Sequence, residues 1–230
     1  MRGHVLPVLL EFAGVDPVMS APRPGSANPH FRPNFYAAGK FVTGKAFDIL
    51  WRREVYGREN IPAPGQGVIF AANHRSLADP NLVGSAIPYP IHYFAKDELF
   101  KVPLLGWYIR RVNAFPVKRA EHDIGAFKTA QRILEKGEGL LLFPEGGRRL
   151  DPRRQFVARA GVGMLACKTG ALVCPVGVIG SEHFPKLVRV QVHFGPCLRP
   201  PDNPTRDDYQ RFSDLVMEKV RGLCGVGPKA

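Results

Sequence analysis

Short apolar runs alternate with stretches in which apolar side chains recur every three or four positions over most of the chain. The runs Gly67 to Ala72, Ile91 to Ala95, Val112 to Val117, Gly139 to Phe143, Leu172 to Val178 and Leu187 to Phe194 read as β-strands. Helical spacing predicts helices over 79–87, 101–111, 158–169 and 207–222. The clearest helix starts after Asp123 as N-cap, buries Ile124, Phe127, Ala130 and Leu134, and stops near Gly137. Such alternation is the signature of an α/β layered domain, here spanning residues 55–225 with a short tail at 226–230.

Upstream, Phe35, Ala38, Val42, Ala46 and Ile49 share a helical face within residues 34–54, and Phe41, Phe47, Leu50 and Trp51 broaden it. Lys40, Lys45, Arg52 and Arg53 flank that face. Two readings are open: a helix lying in a membrane interface, or an ordinary amphipathic helix covering a sheet. Residues 1–33 hold six prolines and three glycines, and their one apolar run, Val5 to Leu10, is broken by Pro7, so they read as a disordered leader.

Composition narrows the partner. The 230 residues carry 32 Lys and Arg against 20 Asp and Glu, a net charge of +12. An anionic partner follows, whether nucleic acid, acidic lipid or a phosphorylated substrate. Cys167, Cys174, Cys197 and Cys224 show no CxxC spacing, which fits buried thiols in a reducing compartment better than a disulfide framework or zinc site. Every apolar stretch is interrupted before the ~18 residues that a spanning helix needs.

Chemistry concentrates in a few segments. AANHRSLADP (71–80) leaves a strand through a turn holding His74 and Asp79. A His there suits a general base, and a carboxylate on its other nitrogen would fix the tautomer. Asp79-Pro80 is equally an N-cap and N1 pair, and one residue can serve both purposes. GLLLFPEGGRRL (139–150) ends a strand in glycines and arginines, and Arg153, Arg154 and Arg159 extend the cluster, as a phosphate or headgroup site would require. Residues 95–119 deliver Lys118 and Arg119 to the end of a strand. In ALVCPVGVIGS (171–181), Pro175 suits an edge strand or a backbone exit toward a ligand.

Taken in order, these segments resemble the glycerolipid acyltransferases, specifically the 1-acylglycerol-3-phosphate (lysophosphatidic acid) acyltransferases. The family's Asn-His, four residues, Asp stands as Asn73-His74 and Asp79; its Gly-to-Arg block matches Gly106 through Arg119. Phe-Pro-Glu-Gly-Thr-Arg becomes Phe143-Pro144-Glu145-Gly146-Gly147-Arg148, and the apolar-Pro-Val run falls on Cys174-Pro175-Val176. Two departures stand out: Gly147 in place of the hydroxyl residue, and Lys118 where many relatives carry Asp.

The resemblance implies a glycerol-3-phosphate acyltransferase-like fold, with a mixed, largely parallel sheet flanked by helices. It implies His74 as base and Asp79 as its orienting partner, with Arg119, Glu145, Gly146 and Arg148 binding the acceptor. Pro175 and Val176 would shape the acyl side. It further implies a lysophospholipid acceptor, acyl-CoA or acyl carrier protein as donor, no cofactor or metal, and a peripheral location on the cytoplasmic face of an anionic membrane. An activated thioester needs only an oxygen nucleophile, a base and an oxyanion stabiliser, and the chain has no G-x-S-x-G elbow for a covalent route. A silent binder of anionic lipid, or an enzyme for another lyso-lipid or glycerol 3-phosphate, are the alternatives. A nucleic-acid module finds no motif to accompany the charge.

Overall fold

The structure is a computed structural model that describes residues 29–118, 123–148 and 158–225. Arg119, Arg149, Arg153, Arg154, the leader up to residue 28 and the 226–230 tail lie outside the described residues. The elements run α1 (Pro33–Leu50), β1 (Glu54–Tyr56), β2 (Val68–Ala72), α2 (Asp79–Gly84), β3 (Ile91–Lys96), α3 (Pro103–Arg111), β4 (Ala114–Val117) and α4 (Ile124–Glu135). They continue with β5 (Gly139–Leu142), α5 (Gly161–Thr169), β6 (Leu172–Ile179), β7 (Gln191–Phe194) and α6 (Arg206–Leu223).

Seven strands form one sheet in the order β1-β7-β6-β2-β5-β3-β4, every neighbouring pair parallel except β6 with β7. The sheet is therefore mixed and largely parallel, as the resemblance implied. All five residues of central β2 are buried, because helices cover both faces and a strand so placed has no polar side. Ile69, Leu140 and Val173 face Ile133 of α4, Leu165 of α5 and Met217 of α6. On the other face Phe70, Leu141 and Val176 meet Leu82 and Val83 of α2 and Phe47 of α1.

Helix α1 forms where the spacing places it but turns its predicted apolar side outward. Its buried positions are Tyr36, Gly44 and Phe47, while Ile49 is 73% exposed and Phe41 and Val42 also face solvent. Two of the cations expected at its margins point inward. Lys40 Nζ donates to the Ile87 carbonyl, and burial, followed by Arg58 and Arg53, pulls its pKa down to about 8. Arg53 bonds Asp48 at 2.9 Å, Ser85 Oγ at 2.5 Å and the Leu82 carbonyl at 3.1 Å, which docks the end of α1 on α2. Polar tethers and one glycine contact thus select the packed face, and periodicity does not register either.

Pro175 also departs from expectation, since β6 is an internal strand between β2 and β7. The strand tolerates it because the missing N–H faces a gap in the β6–β7 ladder. Val173 pairs with Leu198 in an isolated bridge, the regular ladder starts only at Val176 opposite Phe194, and Gly195 N–H reaches the Pro175 carbonyl at 2.9 Å between them. Smaller corrections concern ends. Asp123 caps α4 by accepting the Ala126 N–H at 2.9 Å, but Ile124, at the first turn beyond the sheet, is 67% exposed. Asn113 adopts φ 67°, so β4 begins at Ala114, and the predicted strand over 187–194 is regular only from Gln191. Strand β1 is three residues long and too short for a pattern to reveal. The four cysteines are free thiols, with Cys174 buried.

Helices α5 and α6 touch through Gly163, whose N–H donates to Ser213 Oγ at 2.9 Å and whose added Cβ would collide with the Tyr209 carbonyl oxygen. Gly163→Val should therefore destabilise by about 2 kcal/mol through overpacking, lowering Tm by roughly 4–8 °C for a chain of this size. Thermal denaturation followed by circular dichroism checks it.

Candidate active site

The site grows from the C-terminal end of β2, where the chain leaves the sheet. Asn73 takes over from the backbone ladder there: its Nδ2 donates to the Val178 carbonyl at 2.8 Å, and its Oδ1 accepts the Val178 N–H at 2.7 Å. A buried amide can satisfy both groups of one residue in this way, so β2 stops pairing with β6 without leaving an orphan. The next residue, His74, turns out of the sheet at a fixed height.

Asp79 then closes the turn. Its Oδ2 receives the imidazole Nδ1 at 2.9 Å and the N–H groups of Arg75 and Ser76 at 2.7 Å each. Asp79 is fully buried, as the first residue of α2, and His74 keeps only a sliver of exposure. The sequence left two roles open for Asp79, and it fills one: it pairs with the histidine and ties the preceding turn, whereas Ala78 is the N-cap of α2 and Asp79 its first residue, with no side-chain cap bond. With Nδ1 bonded to a carboxylate, the neutral imidazole carries its hydrogen there and leaves Nε2 as the free base. Among the described residues Nε2 carries no hydrogen bond.

Strand β5 supplies the other half. The register of Ala71 opposite Leu142 carries Phe143 alongside the end of β2, and its ring stacks on the His74 imidazole with centroids 3.9 Å apart and planes 15° off parallel. Two residues on, buried Glu145 accepts the His74 N–H at 3.3 Å. Gly146 closes the turn through its N–H to the Phe143 carbonyl, 2.9 Å, at a φ of +72° that favours glycine. A Cβ there would stand 2.5 Å from Arg159 Nε, so the glycine also makes room for that guanidinium. Arg148 is exposed.

Beside this turn lies a cavity of about 240 Å³ with Phe143, Gly146, Gly147, Lys118 and Arg159 on its wall and Phe127 and Leu165 at its apolar side. Asp123 also lines it, and the N–H groups of Lys118 and Ala126 hold its carboxyl below the ordinary range. The end of α6 approaches from another side. Burial pushes the Cys224 thiol up to about 11, Arg75 opposes that, and Glu145 and Glu182 reinforce it.

The structure thus brings together His74, Asp79, Glu145 and Gly146, with Lys118 on the cavity rim. Arg119 lies outside the described residues, so its place is not described. Val176 is entirely buried in the core. Pro175 lines a different, apolar cavity of about 350 Å³ with Gly195, Leu198 and Leu223. Sequence reasoning assigned no separate role to Asn73 or Phe143, and gave Arg159 only a share in the phosphate or headgroup role of its arginine cluster. The first two were visible as motif neighbours of the histidine and the glutamate, whereas Arg159 was seen only as part of an arginine cluster. Among the described residues no group of three or more His, Cys, Asp or Glu side chains could hold a metal ion.

Comparison with known proteins fits this arrangement. A family model described as Acyltransferase matches residues 52–179, which include every site residue placed above. The 1-acyl-sn-glycerol-3-phosphate acyltransferase of Bacillus subtilis (strain 168) is 38% identical over 177 residues, covering 74% of this chain and 87% of that protein. Its counterpart in Streptococcus pneumoniae is 27% identical over 190 residues, covering 78% of this chain and 67% of the relative. Among solved structures, the 1-acyl-sn-glycerophosphate (LPA) acyltransferase PlsC from Thermotoga maritima superposes with a TM-score of 0.65 at 28% identity, covering 82% of this chain and 78% of that one.

The Asn73 link gives a prediction independent of any activity. Asn73→Ala removes both partners of the buried Val178 peptide groups and should cost about 2–4 kcal/mol. A lower urea midpoint with an unchanged m-value would show it.

Proposed function

The chain belongs to the acyltransferase family, and we propose that it transfers the acyl group of a thioester to the sn-2 hydroxyl of lysophosphatidic acid, giving phosphatidic acid. The observation that carries this reading is the buried His74–Asp79 pair, 2.9 Å apart at the end of a central strand, with no hydrogen bond to Nε2 among the described residues. The names of the bacterial relatives point to the same acceptor.

In this mechanism Nε2 of His74 takes the proton of the acceptor hydroxyl as its oxygen attacks the thioester carbonyl. Asp79 stabilises the imidazolium that forms. The tetrahedral intermediate then expels the thiolate, which recovers the proton from His74 and leaves as a free thiol, whether of coenzyme A or of acyl carrier protein. No covalent enzyme intermediate is required. The phosphate is held at the turn after β5, where Gly146 lets the backbone approach and Arg148, Arg159 and Lys118 supply positive charge; Arg119 joins them by its place in the motif.

The acceptor is a membrane lipid, and one surface suits a bilayer. Exposed apolar side chains run along α1 as Phe41, Val42 and Ile49 and continue on the segments packed at its two ends. At one end Phe35 meets Trp107 of α3 edge-on at 5.4 Å, beside Leu104, which is 85% exposed. At the other, Trp51 stacks on Phe184 at 5.2 Å, next to Leu187, 65% exposed. Lys45, Arg52 and Lys186 are exposed among them, the mixture an anionic interface attracts. No helix among the described residues is long and apolar enough to cross a membrane. The protein docks peripherally in this reading, on the cytoplasmic face, where the four free thiols are at home.

Incubation with lysophosphatidic acid and acyl-CoA, read by mass spectrometry, should yield phosphatidic acid. His74→Ala should lower turnover by about 10²–10⁴-fold, the range of a lost general base. Product only from another lyso-lipid or from glycerol 3-phosphate would move the acceptor and keep the chemistry; vesicle binding without turnover from any acceptor would leave a silent lipid binder. Sedimentation with anionic vesicles should weaken as salt rises past physiological strength, where the screening length is about 8 Å. Ile49→Glu with Leu104→Glu should abolish binding while sparing turnover of detergent-dispersed acceptor.

A further inference from the structure

Beyond the His74–Asp79 pair, we propose that Phe143 is a positioning residue for the base, fixing the plane of the His74 imidazole and stabilising the imidazolium formed when the acceptor's proton is taken. The inference rests on the reading of His74 as general base.

A single bond from Nδ1 to Asp79 anchors one corner of the ring and leaves it free to swing about that bond, carrying Nε2 with it. A flat aromatic surface against one face removes the swing. Phe143 provides one, at 3.9 Å and 15° from parallel, tighter and flatter than the Tyr56–His193 stack at 4.7 Å and 21°. The partner ring is itself fixed, because β5 pairs with β2 up to Leu142, Pro144 follows, and the Phe143 carbonyl accepts the Gly146 N–H. Once protonated, the imidazolium lies within the ~6 Å at which a cation is attracted to a ring face. That attraction is absent while the histidine is neutral, so it favours the state reached during proton transfer rather than the resting one.

The charged and titratable groups nearest the ring are Asp79 on α2 and Glu145 on the turn after β5, with Arg75 next in the chain. Cys224 at the end of α6 and Glu182 after β6 sit near Arg75 and Glu145. Replacing residue 143 alone leaves all of these residues in the chain.

The test compares kcat and KM, measured on the plateau of the pH–rate profile, for the parent protein, His74→Ala, Phe143→Leu and Phe143→Trp. Leu keeps apolar bulk but offers no π face; Trp restores one. In Phe143→Leu, kcat on the plateau should fall about three- to thirtyfold, the range of a lost cation–π contact, with KM for both substrates within about twofold. Phe143→Trp should return kcat toward the parent. A parental kcat in Phe143→Leu, or equal losses in the Leu and Trp variants, would overturn the proposal while an inactive His74→Ala kept the base reading intact. Parental turnover in His74→Ala would overturn both. Should the Leu variant fail to fold by circular dichroism, Phe143→Met makes the same comparison.

Discussion

Oxygen Oδ2 of Asp79 gathers the imidazole Nδ1 and the N–H groups of Arg75 and Ser76 within 2.9 Å, and the local structure is arranged around that convergence. A carboxylate taken fully out of water is costly unless several donors replace its hydration. Charge-assisted bonds of 2.7 to 2.9 Å do so at Oδ2, all from the turn that the carboxylate closes, while buried Oδ1 accepts none among the described residues. The same contacts that make Asp79 tolerable in the core bend residues 74–79 into one shape. Turn, helix start and imidazole tautomer therefore stand or fall together.

That turn has to emerge at a defined place, and the sheet sets it. Strand β2 lies between β6 and β5, so each neighbour ends beside it, β6 offering the Val178 peptide to Asn73 and β5 offering Phe143 and Glu145 to His74. Parallel strands deliver their carboxyl ends to one edge, which is why residues 74, 118, 143–148 and 178 can share a neighbourhood despite their separation in sequence. The packing behind them is dry on both faces, with β2 wholly buried, so this edge is stiff. A base whose reach must be held within fractions of an ångström benefits from such a mount.

Much of this was legible in residue order because the signals are local. The 74–79 turn, the strand ending in Phe143 to Gly146 and the helix capped by Asp123 each need only a few neighbouring residues to specify them, and each forms. What escaped depends on partners far along the chain. The packed face of α1 is chosen by Lys40 reaching Ile87 and by Arg53 reaching Leu82 and Ser85, contacts that no helical periodicity encodes. Pro175 read as an edge residue because a proline in a strand lacks one donor; the break in the β6–β7 ladder that makes the donor unnecessary arises from Gly195 and Pro196, twenty residues later. The role of Asn73 likewise lies in a residue 105 positions away.

The two departures from the family motif, Gly147 and Lys118, fall on the same side of Phe143. That ring stacks on His74 and also lines the cavity that holds Gly147 and Lys118 on its wall. In the proposed mechanism proton transfer depends on groups at the imidazole, namely Asp79, Asn73 through the height of the turn, and the ring itself, and none of these departs from the motif. The cavity, by contrast, loses a hydroxyl at 147 and gains a cation at 118, so its wall has fewer short polar donors and more long-range positive charge. As the proposed phosphate site, such a wall would act through field strength more than through directional bonds, and field strength discriminates less between phosphorylated acceptors than a fixed hydrogen bond does. In the proposed mechanism, positions 118 and 147 therefore bear on the acceptor's phosphate and leave the buried pair at the end of β2 untouched.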